Sequence, residues 1–534
     1  TAPPAPLSTQ SADTPAAVSV PGAFHIHTRR SDGALDKAQV AEAAARAGLR
    51  FAIFTDHGNG TQAPDPPAYV HGVLCLDGVE ISTNGGHYIA LGIPAAPYPL
   101  GGEAEAVAED VRRLGGFGVA AHPFSPREEL AWRDWSVPVD GIEWLNADSE
   151  WRDEGHVRLS RAFVDYLWRP AGALASLLDR SADGMRRWDD VAATRRIVAL
   201  PGHDAHGGFV AEGGEARGRR LHIPSYEAVF KTFSLHLRLP QPLGSDAARD
   251  GAMLLDAIER GHAFTAIEGL AAPASLSFSA RTSNGVTAHA GDELPASLGR
   301  ARFTVRSAVP ARAVTVLLRN GRAVSEHAGG SLDYEAALPG AYRVEVHLPN
   351  APGTPPIPWL VSNPIYRFSR AAQASTPAPV SAEDLSPIAT RWRIEASPGS
   401  QGTIGLDGET VTLTYAMAAG ATPSPFVALA TDVQLAKADA QAISVRGRAD
   451  RPMRVSVQLR FNGVGSARWG RSVYLDSTER AILLDPKTFR SASRSGGMPP
   501  LGGATSLLFV VDLVNAVPGA KGRFAIDGIS LVRQ

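Results

Sequence analysis

The chain has 534 residues, 44% of them hydrophobic and 20% charged, a globular composition that excludes a wholly disordered or fibrous chain and, at roughly 150 residues per domain, predicts three or four units. Lys and Arg number 52 against 54 Asp and Glu, for a formal net charge of -2, so no overall positive field gathers nucleic acid or an acidic membrane surface. The single cysteine, Cys75, rules out an intramolecular disulfide and a zinc site made of four cysteines. The 53 glycines and 40 prolines predict many turns and argue against an all-helical fold.

No uninterrupted run of eighteen apolar residues occurs, so no transmembrane helix is expected. Residues 1–21 are rich in Ala, Pro, Ser and Thr and begin with Thr1. That suits an exposed segment at the mature end of an exported (periplasmic or extracellular) protein, or merely the place where the expressed chain begins. From residue 22 short apolar runs alternate with helical stretches, the pattern of an α/β domain with parallel strands. Strands are expected at 23–27, 50–55, 73–82, 87–92, 117–122, 139–145 and 197–203. Between the first two, Asp36 can cap a helix whose Val40, Ala44 and Ala47 share a face and which Gly48 ends. Further helices are expected at 103–114, 156–179 and 246–260, the last closing the domain near residue 268. From about 270 the apolar period changes to two, which predicts a small β-sandwich over 269–368. A linker rich in Ala, Ser and Pro (369–387) and a second all-β region (388–534) follow, with the clearest strands at 409–415, 453–461, 506–514 and 524–532.

The chemistry-bearing residues gather at the expected strand ends. His25 and His27 lie two apart on a strand, so both imidazoles leave one face and can meet one metal ion; a histidine pair without metal is the alternative. Asp32 follows in SDG, Asp56 and His57 in TDH, Glu80 in GVEIS, His87 in HYIALG, His122 in GVAAHPF, and Asp204 and His206 in GHDAHG. In a parallel α/β fold the carboxyl ends of the strands converge on one opening, where six imidazoles and three carboxylates would meet. Each also has a structural alternative, such as a helix cap or a surface ion pair.

Taken in order, HIHTRRSDG, TDH, GVEIS, AHPF and GHDAHG resemble the motifs of the PHP (polymerase and histidinol phosphatase) superfamily of metal-dependent phosphoesterases, over residues 22–265. The resemblance implies a distorted (β/α)7 barrel holding three divalent ions, with zinc, manganese or iron all compatible with nitrogen and oxygen ligands. By motif, one ion takes His25, His27, Glu80 and Asp204; a second shares Glu80 and adds His87 and His122; the third takes Asp32, His57 and His206. The expected architecture is therefore multidomain α/β plus all-β: a PHP barrel (22–268), an Ig-like sandwich, and a C-terminal jelly roll resembling galactose-binding modules.

Three such ions outweigh three carboxylates, so the site attracts anions, and a water they share would ionise near neutral pH and attack an ester. Arg29 and Arg30 could reach a phosphate oxygen or be solvated loop charges, and Arg127 is a similar candidate. His203 is a candidate proton donor, although alternation turns it away from Asp204. Asp56 is expected to support the ligands from behind. Trp132, Trp135, Trp144, Trp151, Trp168 and Trp188 could wall a substrate cavity or pack in the core. The expected substrate is a small, anionic phosphate mono- or diester. Relatives resembling carbaryl hydrolases, with similar β-rich appendages, make a carbamate or carboxylic ester the alternative. A glycan-binding protein with a silent barrel is a third reading, with Trp392 and Trp469 as possible sugar platforms.

Overall fold

The computed structural model describes residues 18–152, 154–208, 223–369, 381–384, 391–420, 423–433, 442–461, 468–491 and 498–533. Most of the expected segment 1–21 and linker 369–387 thus lies outside the described residues. The fold is multidomain and rich in sheet, with two compact units: residues 1–59, 63–94 and 111–373, and residues 60–62, 95–110 and 374–534. No described helix is long and apolar enough to cross a membrane.

In chain order the α/β part runs β1 (Val18–Ile26), α1 (Lys37–Arg46), β2 (Phe51–Phe54), β3 (Ala68–Val70), β4 (Val73–Thr83), β5 (Gly86–Leu91), α2 (Ala104–Arg113), β6 (Phe117–Ala120) and β7 (Gly141–Asn146). Four helices follow, α3 (Ala147–Arg152), α4 (His156–Tyr166), α5 (Pro170–Ala175) and α6 (Ala182–Ala192), then β8 (Val198–Gly202), α7 (Tyr226–Phe230), β9 (Ser234–Leu239), α8 (Ala247–Glu259) and β10 (Ala263–Ala266). Asp36 caps α1 through a reciprocal pair with Gln39. The single helix expected over 156–179 is two, because Pro170 has no N–H to donate and can only start a helix. Nor does α8 end the domain, since β10 follows and pairs with β9.

β1, β2 and β4 pair in parallel, β4, β5 and β6 antiparallel, and β6, β7 and β8 in parallel. The stretch after β8 then returns to β1: the His203 N–H donates to the Phe24 carbonyl at 2.9 Å and the His27 N–H to the Ala205 carbonyl at 3.1 Å. Seven strands therefore form a closed ring. Alternate residues such as Phe24, Ile53, Leu76, Ile89, Val119 and Leu200 make one apolar cluster, as period-two burial requires. The rest of the β1 edge, Val18–Gly22, pairs antiparallel with β9, so the expected exposed segment gives way to strand from Val18.

Two layers follow in the same unit. One is the sheet of β11 (Ser277–Thr282), β12 (Thr287–His289), β13 (Ala301–Arg306) and β16 (Ser331–Ala336). The other contains β14 (Val314–Arg319), β15 (Arg322–Ala328), β17 (Gly340–His347), β18 (Leu360–Ser362) and β19 (Ile365–Arg367). This second layer is not separate from the ring, because β18 pairs with β10 and joins both into one sheet.

In the second unit, Gln401–Asp407, Thr410–Ala416, Lys521–Arg533, Ala442–Ala449 and Arg480–Leu484, with Ser381–Asp384, form one sheet. Arg393–Ala396, Phe426–Asp432, Ala504–Asp512, Met453–Phe461 and Arg468–Leu475 form another. Leu413, Leu429, Val445, Val457, Phe509 and Phe524 meet in one core, together with Trp469. Trp469 is thus unable to serve as a sugar platform, and Trp392 packs against the same core. Also in this unit, the buried guanidinium of Arg454 donates from Nε to Asp110 Oδ2 at 2.7 Å and from Nη2 to Asp110 Oδ1 at 2.9 Å and Glu109 Oε2 at 2.8 Å. Arg454→Met removes the counter-charge of a buried carboxylate, so a loss of about 3–5 kcal/mol is expected. Urea unfolding followed by fluorescence measures it, and an unchanged midpoint contradicts the assignment.

Candidate metal centre

The ring brings all nine expected ligand residues together. Glu80, on β4, is at the middle. Its Oε2 lies 3.2 Å from His25 Nε2, His27 Nε2 and His57 Nδ1. Its Oε1 lies 2.7 Å from His87 Nδ1 and 2.9 Å from His122 Nε2. Asp204 Oδ1 stands 3.4 Å from His25 Nε2 and 3.3 Å from His27 Nε2. Asp32 Oδ2 lies 3.3 Å from His206 Nε2 and 3.5 Å from His57 Nε2, and its Oδ1 3.3 Å from His27 Nδ1. His25, His27, Glu80, His122 and Asp204 are buried, whereas Asp32 and His57 are open to solvent.

The backbone is bent to achieve this. His25, His122 and Asp204 have φ of 65°, 28° and 45°, the left-handed region that costs a residue other than glycine of order 1–3 kcal/mol. At His25 the bend is a bulge in the pairing with β2. It interrupts the alternation that puts Phe24 in the apolar cluster, and beyond it both His25 and His27 reach Glu80.

Four groupings have ligand atoms close enough to surround a cation: His27, Asp32, His57 and His206; His25, Glu80 and His122; His25, His27 and Asp204; and His57, Glu80 and His87. The donor set fits divalent ions. Five imidazole nitrogens face one carboxylate, more than its oxygens can serve as hydrogen-bond acceptors at good geometry, and the buried Nδ1 of His122 has no partner among the described residues. Burial lowers the pKa of His25, but Glu143, Asp204 and Glu80 outweigh it and hold the ring well above its ordinary value. Burial likewise raises Glu80 and Asp204, and the facing imidazoles hold both well below theirs. Without cations, protons must supply the positive charge among crowded rings; a metal ion supplies it to nitrogen lone pairs and carboxylates at once.

Glu143, on β7, is absent from the sequence-based set. Its Oε1 lies 2.6 Å from His25 Nδ1, and its Oε2 accepts from the His122 N–H at 2.7 Å and from Asn146 Nδ2 at 2.8 Å. A carboxylate so used accepts the Nδ1 proton and leaves the Nε2 lone pair of His25 facing Glu80. The signal in the sequence was an acid inside the apolar strand run GIEWLN, the same sign that marks Glu80 in GVEIS.

Asp56 acts through the backbone. It accepts from the Thr28 N–H at 2.7 Å, the Thr28 hydroxyl at 2.8 Å and the Ser31 hydroxyl at 2.7 Å, pinning the loop that presents Asp32. His203 is fully buried. Its Nε2 donates to the Phe233 carbonyl at 2.9 Å while Nδ1 sits 3.3 Å from the Phe24 N–H, and burial pushes its pKa down to about 4. A neutral ring with both nitrogens on the backbone has no proton to hand to a substrate, which removes the donor role expected for it. Arg29 donates to the Ala34 carbonyl, and Arg30 is held by Asp65 and Asp77.

Beside the cluster opens a cavity of about 540 Å³, with Asp32, Asp204 and His206 on one side and Arg127, Asp148, Trp151, Arg152, Pro224 and Val229 around it. Arg152 is paired with Asp148, whereas the guanidinium of Arg127 has no partner among the described residues. Of the six expected tryptophans Trp151 reaches this cavity; Trp132, Trp144 and Trp188 are buried, Trp135 is half-buried and stacked on Phe124, and Trp168 is exposed.

No family model matches the chain. Over 138 residues it is 28% identical to an uncharacterized protein of Methanocaldococcus jannaschii, covering 23% of this chain and 80% of that one. A protein of Bifidobacterium adolescentis provisionally described as a metal-dependent phosphoesterase is similar with a TM-score of 0.23 and 14% identity, covering 38% of this chain and 92% of that one. The family 11 carbohydrate-binding module of a Clostridium thermocellum cellulosomal cellulase is similar with a TM-score of 0.24 and 17% identity, covering 29% of this chain and 97% of that one. Likeness at this level leaves the chemistry to the side chains themselves.

Elemental analysis of protein purified without chelator is expected to find divalent ions, and Glu80→Ala to lose at least one of them; unchanged content contradicts a shared ligand. A Cβ at Gly202 would stand 2.1 Å from Glu143 Oε1. Gly202→Ala therefore displaces Glu143 from His25, and metal affinity should fall by about 10- to 100-fold in a chelator competition.

Proposed function

We propose that this chain is a hydrolase of ester bonds that works with divalent cations, three by the motif resemblance, and that its substrate is a mono- or diester of a small organic phosphate. The observation that carries the reading is the convergence of five imidazoles on Glu80, an arrangement with more lone pairs than protons can satisfy. Divalent ions held there by the imidazoles, Glu80, Asp204 and Asp32 would supply Lewis acidity and would lower the pKa of a bound water towards neutral.

The chain's own residues do the rest. Glu143 fixes the His25 tautomer, and Asp56 holds the loop of Asp32, so the donors keep their geometry before substrate arrives. Arg127, unpaired among the described residues and at the cavity wall, meets an anionic group and orients it. Arg29 and Arg30 have other partners, so the phosphate-reading role passes from them to Arg127. Trp151, Pro224 and Val229 give the cavity an apolar side on which the organic part of an ester can lie. That same side supports a second reading, an aryl carbamate or carboxylic ester, in which the anionic group is dispensable.

Metal-loaded protein assayed on an aryl phosphodiester, an aryl phosphomonoester and an aryl N-methylcarbamate separates the two. Turnover of a phosphate ester is expected; turnover of the carbamate alone overturns the first reading in favour of the second. Arg127→Ala should raise KM for the phosphate ester about tenfold with a smaller change in kcat, since it removes a contact made before and during the reaction. An unchanged KM removes Arg127 from the site.

A further inference from the structure

A second cluster of reactive side chains lies on the opposite half of β1. Ser19 and Arg238 are facing partners in the pairing of β1 with β9, and both line a cavity of about 310 Å³ with Phe264, Leu276, Phe278 and His289. Ser19 is exposed and His236 buried. Ser19 Oγ lies 3.1 Å from His236 Nδ1, and His236 Nε2 lies 2.9 Å from Glu268 Oε1. That oxygen also accepts from the Ser234 hydroxyl at 2.6 Å.

These contacts decide where the protons are. An oxygen already accepting from a hydroxyl receives the Nε2 proton of His236, so Nδ1 keeps its lone pair and the Ser19 O–H donates to it. This is the polarity of a hydroxyl activated by a histidine that a carboxylate orients. The imidazole is further held by stacking on Phe264, 4.5 Å between centroids and 18° between planes. Arg238 adds positive charge without a carboxylate partner among the described residues. Its Nη2 lies 3.2 Å from His289 Nε2. The neighbouring carboxylate, Asp292, is committed through Oδ1 to His262 at 2.8 Å and through Oδ2 to the His289 N–H at 2.7 Å.

We propose that Ser19, His236 and Glu268 form a second hydrolytic site, independent of metal, that cleaves small carboxylic esters whose apolar portion lies against Phe264 and Phe278. Ser19 Oγ forms a bond to the ester carbonyl carbon while its proton passes to His236 Nδ1. The bond to the alcohol oxygen breaks, and the leaving alkoxide takes that proton. Water, giving a proton to the same Nδ1, adds to the acyl carbon; the acid departs and the proton returns to Ser19 Oγ. Glu268 steadies the imidazolium, and Arg238 favours negative charge in the cavity.

The test uses the full chain with a chelator present throughout, so that it is independent of the proposed metal centre. A fluorophosphonate probe is added, its site is located by mass spectrometry, and hydrolysis of p-nitrophenyl butyrate is followed in parallel. The expected result is an adduct on Ser19, esterase activity that survives chelation and vanishes in Ser19→Ala, and labelling slowed about 10²-fold or more in His236→Gln. Because Ser19 is exposed, its replacement leaves the fold intact, which circular dichroism checks. No adduct on Ser19, equal labelling of His236→Gln and the unaltered chain, or ester hydrolysis that requires added cations overturns the proposal.

Discussion

One carboxylate organises the α/β part of this chain. Glu80 offers two oxygens to five imidazole nitrogens that come from or follow four different strands. Such crowding is unfavourable for a protein left to satisfy it by protons, because adjacent charged rings repel and buried neutral ones need donors and acceptors in equal number. The left-handed backbone at His25, His122 and Asp204 points the same way. Strain of that kind persists where the surrounding structure over-determines it, and here paired strands and a packed apolar cluster do so.

Around this centre the other polar groups divide by what they hold. Glu143 orients rings, Asp56 orients backbone, and Arg30 and Lys37 share Asp65 and Asp77 away from the cluster. These commitments leave the cavity wall with Arg127 as its unpaired cation among the described residues, and with an apolar side from Trp151, Pro224 and Val229. The cavity thus offers charge at one end and apolar surface at the other.

Much of this was legible from residue order. Ring strands stand out as short apolar runs, and their ends are marked by His, Asp or Glu where an apolar residue would otherwise continue the run. Period and polarity are local properties, so a single sequence displays them. Alternation made legible that His203 turns away from Asp204, but not that both its nitrogens end on backbone groups, because that depends on the bulge at His25 and the turn at Asp204. Glu143 escaped because its partner is 118 positions away. The arginines misled for a related reason: proximity in sequence to Asp32 says nothing about Asp65 and Asp77, which take Arg30 first. The break at Pro170 was readable from its missing N–H, whereas the union of β10 with β18 was not, since nothing in either segment names its partner.

That union changes what can be regarded as a separable part. The boundary drawn near residue 268 from the change in apolar period falls within a single hydrogen-bonded sheet. A chain ending there would present β10 with a bare row of amide and carbonyl groups, an invitation to self-association that natural folds suppress. The β layers that follow thereby act as the edge guard of the ring, and the two should melt as one cooperative block instead of in succession.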